Sequence, residues 1–143
     1  MNYNSISVTP SVYNVLREAQ KDAEIHFYPY VTPEHVLYSM ESNGIFKDAF
    51  DSSGLQETFF RDRLEFFFKT IYSIQSVPIR SAKRSDSLRF LLDEAVEIAL
   101  INGENAVGIK HLIRGMLNLQ KSVAGYLIRN SPLKMNSTGI SLQ

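Results

Sequence analysis

Two stretches of this chain are copies of one another. Residues 11–42 align without a gap on residues 87–118, at a constant shift of 76 residues and with nine identities in 32 positions. Most of the identical residues are of types that fill protein cores; the pairs are Ser11/Ser87, Leu16/Leu92, Glu18/Glu94, Ala19/Ala95, Ala23/Ala99, Ile25/Ile101, Val31/Val107, His35/His111 and Met40/Met116. The sequence therefore predicts two units of similar fold.

Each copy opens with an apolar stripe of helical period. The stripe consists of Val12, Val15, Leu16, Ala19 and Ala23 in the first copy and of Leu88, Leu91, Leu92, Ala95 and Ala99 in the second. Spacing of three and four residues places each set on one face of a helix. The paired alanines predict that a neighbouring helix approaches closely, because small side chains let two backbones pack near the short end of the usual distance range.

Capping residues predict where the helices begin and end. Thr9–Pro10 and Thr32–Pro33 each place a hydroxyl N-cap before a proline at the first helical position. Gly108 takes the place of Thr32 in the second copy and is a less specific cap. Gly54 and Gly103 are interpreted as left-handed residues that end helices.

The segments around the two copies divide the chain. Gln56–Ile74 is predicted to be a long connecting helix, and Ser76–Ser85 an exposed loop between the copies. No strand is strongly signalled, and Ile74–Ile79 is discounted as one because of Pro78. We expect a flexible N-terminus over 1–8, a first repeat over 9–55, a connecting helix and loop over 56–85, a second repeat over 86–131, and a flexible linker or tail over 132–143.

Composition narrows the classes of function. Fifteen Lys and Arg balance fifteen Asp and Glu, so the electrostatic source of nucleic-acid binding is missing. The chain has no Cys, which excludes disulfides, thiolate nucleophiles and zinc sites that need sulfur. No window resembles a signal peptide or a membrane span. We expect a protein of the cytoplasm, without metal or cofactor, that binds neither nucleic acid nor membrane.

Two short segments carry a resemblance to a known family. Val31–Leu37, which follows the helix bearing the paired alanines, and its copy Val107–Ile113 resemble the signature repeat of the N-terminal domains of Clp-family AAA+ unfoldases. Ser122–Arg129 is most similar to the closing helix of the ClpA-type branch, which favours a ClpA-like over a ClpB-like domain. The resemblance implies an all-α fold in which two pseudo-twofold-related helical repeats form one compact domain.

The same resemblance implies a function without catalysis. Such a domain docks adaptors and substrates for an ATP-dependent unfoldase, which feeds proteins into degradation. The implied partners are a ClpS-like adaptor, unfolded or tagged substrates, the AAA+ ring and a ClpP-like peptidase. No phosphate-binding loop of the Gly-x-x-x-x-Gly-Lys-Ser/Thr type occurs in the chain. The alternative is a stand-alone helical peptide-binding or regulatory protein with the same fold; a small hydrolase or metal enzyme is a third hypothesis that no motif supports.

The resemblance also points to binding residues. In some family members the glutamate equivalent to Glu34 helps to bind phosphoarginine tags or an adaptor, and Lys110 has replaced it in the second copy, so such a site would be single. Stabilisation of a helix N-terminus is the other interpretation of Glu34. The loop before Thr32 and the start of the helix in the second copy lie where ClpA-type domains meet their adaptor; the residues concerned here are Pro29, Tyr30, Ser85 and Leu88.

Two histidines and two aromatic clusters allow more than one interpretation. His35 and His111, with Thr32, form the repeat signature, and local hydrogen bonds at the helix start are favoured over a paired metal site. In the aromatic loop His26–Tyr30, Phe27 or Tyr28 either fills the core or contacts a partner. The phenylalanines of 59–68 are predicted to pack in the core rather than to form the floor of a peptide groove.

Overall fold

The structure is a computed structural model that describes residues 6–46, 50–51, 54–71 and 81–135. Its helices within that part of the chain are α1 Pro10–Ile25, α2 Pro33–Ser42, α3 Phe59–Ile71, α4 Asp86–Ile101, α5 Ile109–Leu117 and α6 Val123–Arg129. Short strands lie between them, namely β1 Ser7–Val8, β2 Tyr30–Val31, β3 Phe50–Asp51, β4 Lys83–Arg84, β5 Ala106–Val107 and β6 Lys134–Met135. The all-α class predicted from the sequence is confirmed.

Hydroxyl side chains set the starts of four helices. Thr9, Thr32, Ser85 and Ser122 occupy the N-cap positions of α1, α2, α4 and α6, and each hydroxyl oxygen accepts a hydrogen bond from the backbone N–H three residues later. These bonds satisfy N–H groups that have no partner within their own helix. The predicted starts at Thr9 and Thr32 are confirmed, and Gly108 caps α5 without a side-chain bond.

Backbone pairing between the repeats is reciprocal. Parallel β1 and β5 pair, and so do parallel β2 and β4. The Thr9 N–H donates to the Val107 oxygen at 3.0 Å, and the Ser85 N–H donates to the Val31 oxygen at 2.9 Å. Because Ser85 and Val107 lie 76 residues after Thr9 and Val31, the second bond is the first with the two repeats exchanged. Each repeat therefore supplies the strand that completes the other.

This pairing places short strands in three segments for which the sequence indicated none, although Lys83 and Arg84 are exposed as expected. Ser7–Val8, expected in the flexible N-terminus, form β1, and Lys83–Arg84, expected in an exposed loop, form β4. Lys134–Met135, expected in the tail, form β6, which pairs antiparallel with β3. A strand of two residues has no periodicity that a sequence could display, and its partner lies far away along the chain. The candidate strand Ile74–Ile79 lies outside the described residues.

A side-chain contact from α1 fixes the entry into β4. The Glu24 carboxylate accepts hydrogen bonds from the Ala82 N–H at 3.0 Å and from the Gln20 side-chain amide at 2.7 Å. The same amide donates to the Ala82 carbonyl at 2.6 Å. Both backbone groups of Ala82 are thus bound just before the chain pairs with β2, which fixes the start of β4 although the sequence of this segment is polar.

Two helix pairs form the core, with α1 packed on α2 and α4 packed on α5. Ala19, Ala23, Ala95 and Ala99 are fully buried. Where α5 approaches α4, a Cβ added at Gly115 would lie 2.7 Å from Leu91 Cδ1, so only glycine fits without movement. The close helix approach predicted from small residues is therefore present in the second repeat.

A second carboxylate, on α2, holds the connecting helix α3. The Glu41 carboxylate accepts the backbone N–H groups of Phe60 at 2.9 Å and of Arg61 at 2.6 Å. The pKa of Glu41 is raised, because the effect of partial burial exceeds the opposing effect of these two hydrogen bonds. The helix begins at Phe59, three residues later than expected, and its last residue Ile71 is 57% exposed.

Equivalent left-handed residues end α1 and α4. Phe27 has a φ of 61° and Gly103 a φ of 74°, and they are related by the shift of 76. The next N–H in each repeat donates back into its helix, from Tyr28 to the Ala23 oxygen at 2.8 Å and from Glu104 to the Ala99 oxygen at 2.9 Å. This is the hydrogen-bond pattern of a Schellman helix end.

The predicted left-handed glycine at Gly103 is confirmed, whereas the one at Gly54 is wrong. Among the described glycines the other positive φ belongs to Gly44, at 70°. Gly44 follows α2 directly, while Gly54 lies well beyond the end of that helix. The sequence signal did not distinguish the two because both glycines follow a polar segment.

Substitution of Gly103 tests this geometry. Gly103→Ala is expected to lower the free energy of unfolding by about 1 kcal/mol, because an L-residue is strained at this φ. A Cβ at Gly103 meets no atom within 4 Å, so the loss would come from the backbone alone. Urea denaturation followed by far-UV circular dichroism measures it, with Gly54→Ala as the matched control that loses no stability. Equal losses in the two variants would contradict the assignment.

Candidate docking surface between the repeats

Two clefts open where α1 meets α4. The larger cleft has a volume of about 510 Å³ and a mainly apolar lining of Ile6, Val8, Val12, Leu16, Arg84, Arg89, Leu92, Asp93, Val96 and Val107. The smaller cleft has a volume of about 360 Å³ and is lined by Val8, Tyr13, Leu16, Arg17, Gln20, Val31, Arg84 and Leu88. Val8, Leu16 and Arg84 line both clefts, so the two form one continuous surface.

The clefts are related by the same shift that relates the repeats. Every residue of the smaller cleft has its counterpart, 76 positions away, in the lining of the larger one. Leu16 and Leu92 are such a pair, and both are half-buried rather than fully buried as the apolar stripe predicts. The pseudo-twofold axis leaves these leucines partly open because the two helices that carry them face each other across the clefts.

The arrangement of charge differs between the two halves of this surface, and Asp93 stands where the symmetry places Arg17. Arg84 stands where the symmetry places Val8, and Arg89 stands where it places Tyr13. The side chains of Arg17, Arg84 and Arg89 make no hydrogen bond or ion pair with any other residue that the structure describes. Asp93 is the acidic residue of the lining. The clefts therefore combine apolar floors with an excess of unpaired positive charge.

Of the residues that the resemblance assigned to adaptor binding, Leu88 lines the smaller cleft, and Pro29, Tyr30 and Ser85 lie next to or near its lining residues Val31 and Arg84 along the chain. Leu88 is 1% exposed and forms part of its floor, while Ser85 caps α4 directly after Arg84. Pro29 and Tyr30 precede Val31 on β2, and Tyr30 is 50% exposed. The pairing of β2 with β4 brings these residues together. Sequence reasoning did not identify Arg84 and Arg89 as site residues. Their equivalents in the first repeat, Val8 and Tyr13, are uncharged, so neither arginine stands out in the comparison of the two copies.

Glu34 lies elsewhere, against the start of α6. Its side chain is largely buried, with 7% exposure. Its carboxylate accepts hydrogen bonds from the Ser122 hydroxyl at 2.8 Å and from the Ala124 N–H at 2.9 Å. The carboxylate thus stabilises the N-terminus of another helix, in addition to lying in the first turn of its own. No sequence signal could reveal this contact because its partners lie 88 and 90 residues away.

The two repeated histidines make the local hydrogen bonds expected of them. His35 Nδ1 accepts the Thr32 N–H at 3.1 Å, and His111 Nδ1 accepts the Gly108 N–H at 2.8 Å. Each imidazole therefore closes the corner between a short strand and a helix. Among the described residues, no three His, Asp or Glu side chains form a group that could hold a metal ion.

The environments of the two imidazoles differ. His35 is fully buried, stacks on Phe68 with 4.6 Å between ring centroids, and lies 5.4 Å from Tyr28. His111 Nε2 instead faces the Glu104 carboxylate at 3.4 Å, and Glu104 is the counterpart of Tyr28. Burial, with a smaller contribution from His26, lowers the pKa of His35 from 6.5 to about 4. His35 is thus held neutral.

The aromatic clusters divide between core and surface. Tyr28 is half-buried and contacts Phe68 with 5.8 Å between centroids, so it fills the core. Phe60 and Phe68 are buried, whereas Phe66 is 74% exposed on the outer face of α3. Phe59 and Phe67 are partly buried against the core, so all phenylalanines of this run except Phe66 pack inward, as predicted. None of the helices in the described part of the chain has the length and apolar character needed to span a membrane.

Comparison with known proteins identifies the family to which this chain belongs. Residues 7–131 match the model of the Clp repeat N-terminal domain. The chain belongs to this family. Domains of the Clp repeat family are non-catalytic accessory domains and protein-interaction modules of Clp chaperones. No curated protein sequence matches the chain.

Solved structures share the Clp repeat fold. The N-terminal domain of ClpD, a caseinolytic protease associated chaperone from Arabidopsis thaliana, matches with a TM-score of 0.61 and 15% identity, over 90% of this chain and 87% of that one. A chain from a malarial protein secretion system matches with a TM-score of 0.66 and 15% identity, over 80% of this chain and 78% of that one. At this identity the likeness shows a common fold.

Removal of the Glu34 carboxylate tests its capping role. Glu34→Ala is expected to lower the free energy of unfolding by about 2 kcal/mol, because the Ala124 N–H and the Ser122 hydroxyl lose a charged acceptor in a buried place. Glu34→Gln keeps one acceptor oxygen and should lose about half as much. Glu97→Ala removes an exposed carboxylate and serves as the control in urea denaturation. If Glu34→Ala and Glu97→Ala unfold alike, the contact does not stabilise the fold.

The pKa of His35 predicts a pH dependence of stability. Since the pKa is lowered in the folded state, the unfolded chain binds more protons between about pH 4 and pH 6.5. The contribution of His35 to the free energy of unfolding is fully present above pH 6.5 and is lost toward pH 4, by on the order of 3 kcal/mol. His35→Gln, whose amide oxygen can accept the Thr32 N–H, should lose this part of the pH dependence, whereas His26→Gln should keep it. Identical pH profiles for His35→Gln and the wild type would contradict the prediction.

Proposed function

We propose that this domain docks adaptors and substrate proteins for an ATP-dependent Clp unfoldase of the ClpA type, which unfolds them for a ClpP-like peptidase. The observation that carries the proposal is the pair of twofold-related clefts between the repeats. Their linings are mainly apolar, and they lie on the outside of the domain. Such surfaces suit the exposed apolar segments of unfolded proteins.

A ClpS-like adaptor is the other proposed partner. The surface of this domain that contacts the adaptor comprises Pro29, Tyr30 and Ser85, which the β2–β4 pairing brings together at the edge of the smaller cleft. Tyr30 supports this assignment because a half-exposed tyrosine offers a large contact area at a low cost in side-chain entropy. Leu88 contributes to the cleft floor.

The Glu34 carboxylate has a restricted capacity to bind a phosphoarginine tag. Its carboxylate already accepts two hydrogen bonds from the start of α6. Both bonds end on Oε2, so a phosphoarginine tag that engages the carboxylate either competes with the start of α6 for that oxygen or uses Oε1 alone. Lys110 offers no second carboxylate at the equivalent position. Docking through the clefts does not need Glu34, whose stabilising role fits its burial.

Binding of an unfolded client tests the docking function. A reduced, carboxymethylated protein that cannot refold is the probe, and its affinity for the folded domain is measured by fluorescence anisotropy. Val8 lines both clefts and is 41% exposed. Val8→Asn is expected to weaken binding by about fivefold, because a polar amide replaces part of the apolar lining.

Ile25→Asn is the matched control for this experiment. Ile25 is also apolar and 70% exposed, but it belongs to neither cleft lining. Its substitution should leave the affinity unchanged. A folded domain that retains no client, or a Val8→Asn variant that binds as tightly as the wild type, contradicts the proposed function.

A further inference from the structure

The arginines of the two clefts define the chemistry of what docks there. Arg84 and Arg89 line the larger cleft, and Arg17 and Arg84 line the smaller one. All three side chains are exposed, and none is paired with a carboxylate of the part of the chain that the structure describes. The whole chain has equal numbers of basic and acidic residues, so this local excess is not a general property of the surface.

Other charged groups around the clefts do not cancel this excess. Asp93 lies in the larger cleft, which leaves two arginines facing one carboxylate there. The Glu24 carboxylate is close to the smaller cleft through Gln20, but it is occupied by the Gln20 amide and the Ala82 N–H. A partner that carries carboxylates beside apolar side chains would satisfy both parts of the lining.

We propose that the larger cleft binds an acidic, apolar peptide segment, whose apolar side chains enter the cleft and whose Asp or Glu carboxylates pair with Arg84 and Arg89. This inference rests on the proposed docking function and specifies its ligand. Leu92, Val96 and Val107 provide the apolar floor. Guanidinium groups suit this role because their planar donors can bind a carboxylate in a bidentate way.

Symmetry breaking at Arg84 also sets the number of ligands. The counterpart of Arg84 is Val8, so the domain carries one such arginine although it has two clefts. Arg84 borders both clefts, so segments bound in both would share one guanidinium, whose single positive charge compensates one carboxylate. One acidic segment therefore binds per domain.

Peptide binding by the wild-type domain provides the first test. Three synthetic peptides share their leucine and phenylalanine positions, have both ends blocked, and carry Glu, Gln or Lys at all remaining positions. Fluorescence anisotropy at low salt is expected to show the Glu peptide binding about tenfold tighter than the Gln peptide, with the difference shrinking as salt is added. Isothermal titration should give one Glu peptide per domain. Equal affinities for the Glu and Gln peptides would overturn the inference.

Charge reversal locates the site. Arg84→Glu and Arg89→Glu are each expected to weaken the Glu peptide by about tenfold. Arg17→Glu, in the smaller cleft, and Arg114→Glu, on the exposed face of α5, are the matched controls, with effects below about threefold. The double variant Arg84→Glu with Arg89→Glu should instead bind the Lys peptide. Equal losses for Arg84→Glu and Arg114→Glu would place the recognition elsewhere.

Two further outcomes separate other occupants and the two proposals. Stronger binding of heparin than of the Glu peptide would show that the surface binds polyanions in general. A dimer seen by sedimentation and abolished by Arg84→Glu would show that a second copy of the chain occupies the cleft. Either result overturns the inference. If the unfolded client binds and the three peptides bind with equal affinity, the docking function stands and the acidic specificity fails. If a folded domain binds neither client nor peptides, the docking function itself fails.

Discussion

Backbone hydrogen bonds that cross between the repeats in both directions determine how this domain is assembled. Each bond lies next to a helix start, so Thr9 and Ser85 use their N–H groups for strand pairing and their hydroxyls for capping α1 and α4. Two-residue strands contribute few bonds, yet these bonds fix where both long helices begin. The position of α1 against α4, and with it the shape of the clefts, follows from this exchange.

Helix α2 gives the assembly a second set of constraints. Glu34 and Glu41 are seven residues apart, about two helical turns, and each carboxylate binds the N-terminus of a different helix, α6 and α3 respectively. Because the N-terminal N–H groups of a helix have no partner within it, a carboxylate on a neighbouring helix satisfies them and fixes the distance between the two. One helix thus orients two others through its side chains, while its apolar face packs on α1.

Departures from symmetry carry the functional content. The repeats share helices, strand pairing and imidazole corners, but Tyr28 is replaced by Glu104 beside the histidine, Glu34 by Lys110, and Val8 by Arg84. The first two changes alter buried or partly buried contacts and so affect stability. The third lies on the surface between the repeats, where Val8 and Arg84 line both clefts. The clefts differ in charge because the larger one has Arg89 and Asp93 where the smaller one has Tyr13 and Arg17. A fold built from a duplication therefore presents one chemically distinct face.

The sequence alone determined the features that depend on near neighbours along the chain. The repeat, the helical stripes, the hydroxyl caps at Thr9 and Thr32 and the family resemblance all follow from residues within a few turns of one another. Tertiary structure decided the rest: the strand exchange, the contact of Glu34 with α6, and the half-open positions of Leu16 and Leu92 that turn an apolar stripe into a cleft floor. The physical reason is distance along the chain, because hydrogen bonds and packing between residues from 53 positions apart, in the β2–β4 pair, to 99 positions apart, in the β1–β5 pair, leave no periodic or capping signal in the sequence.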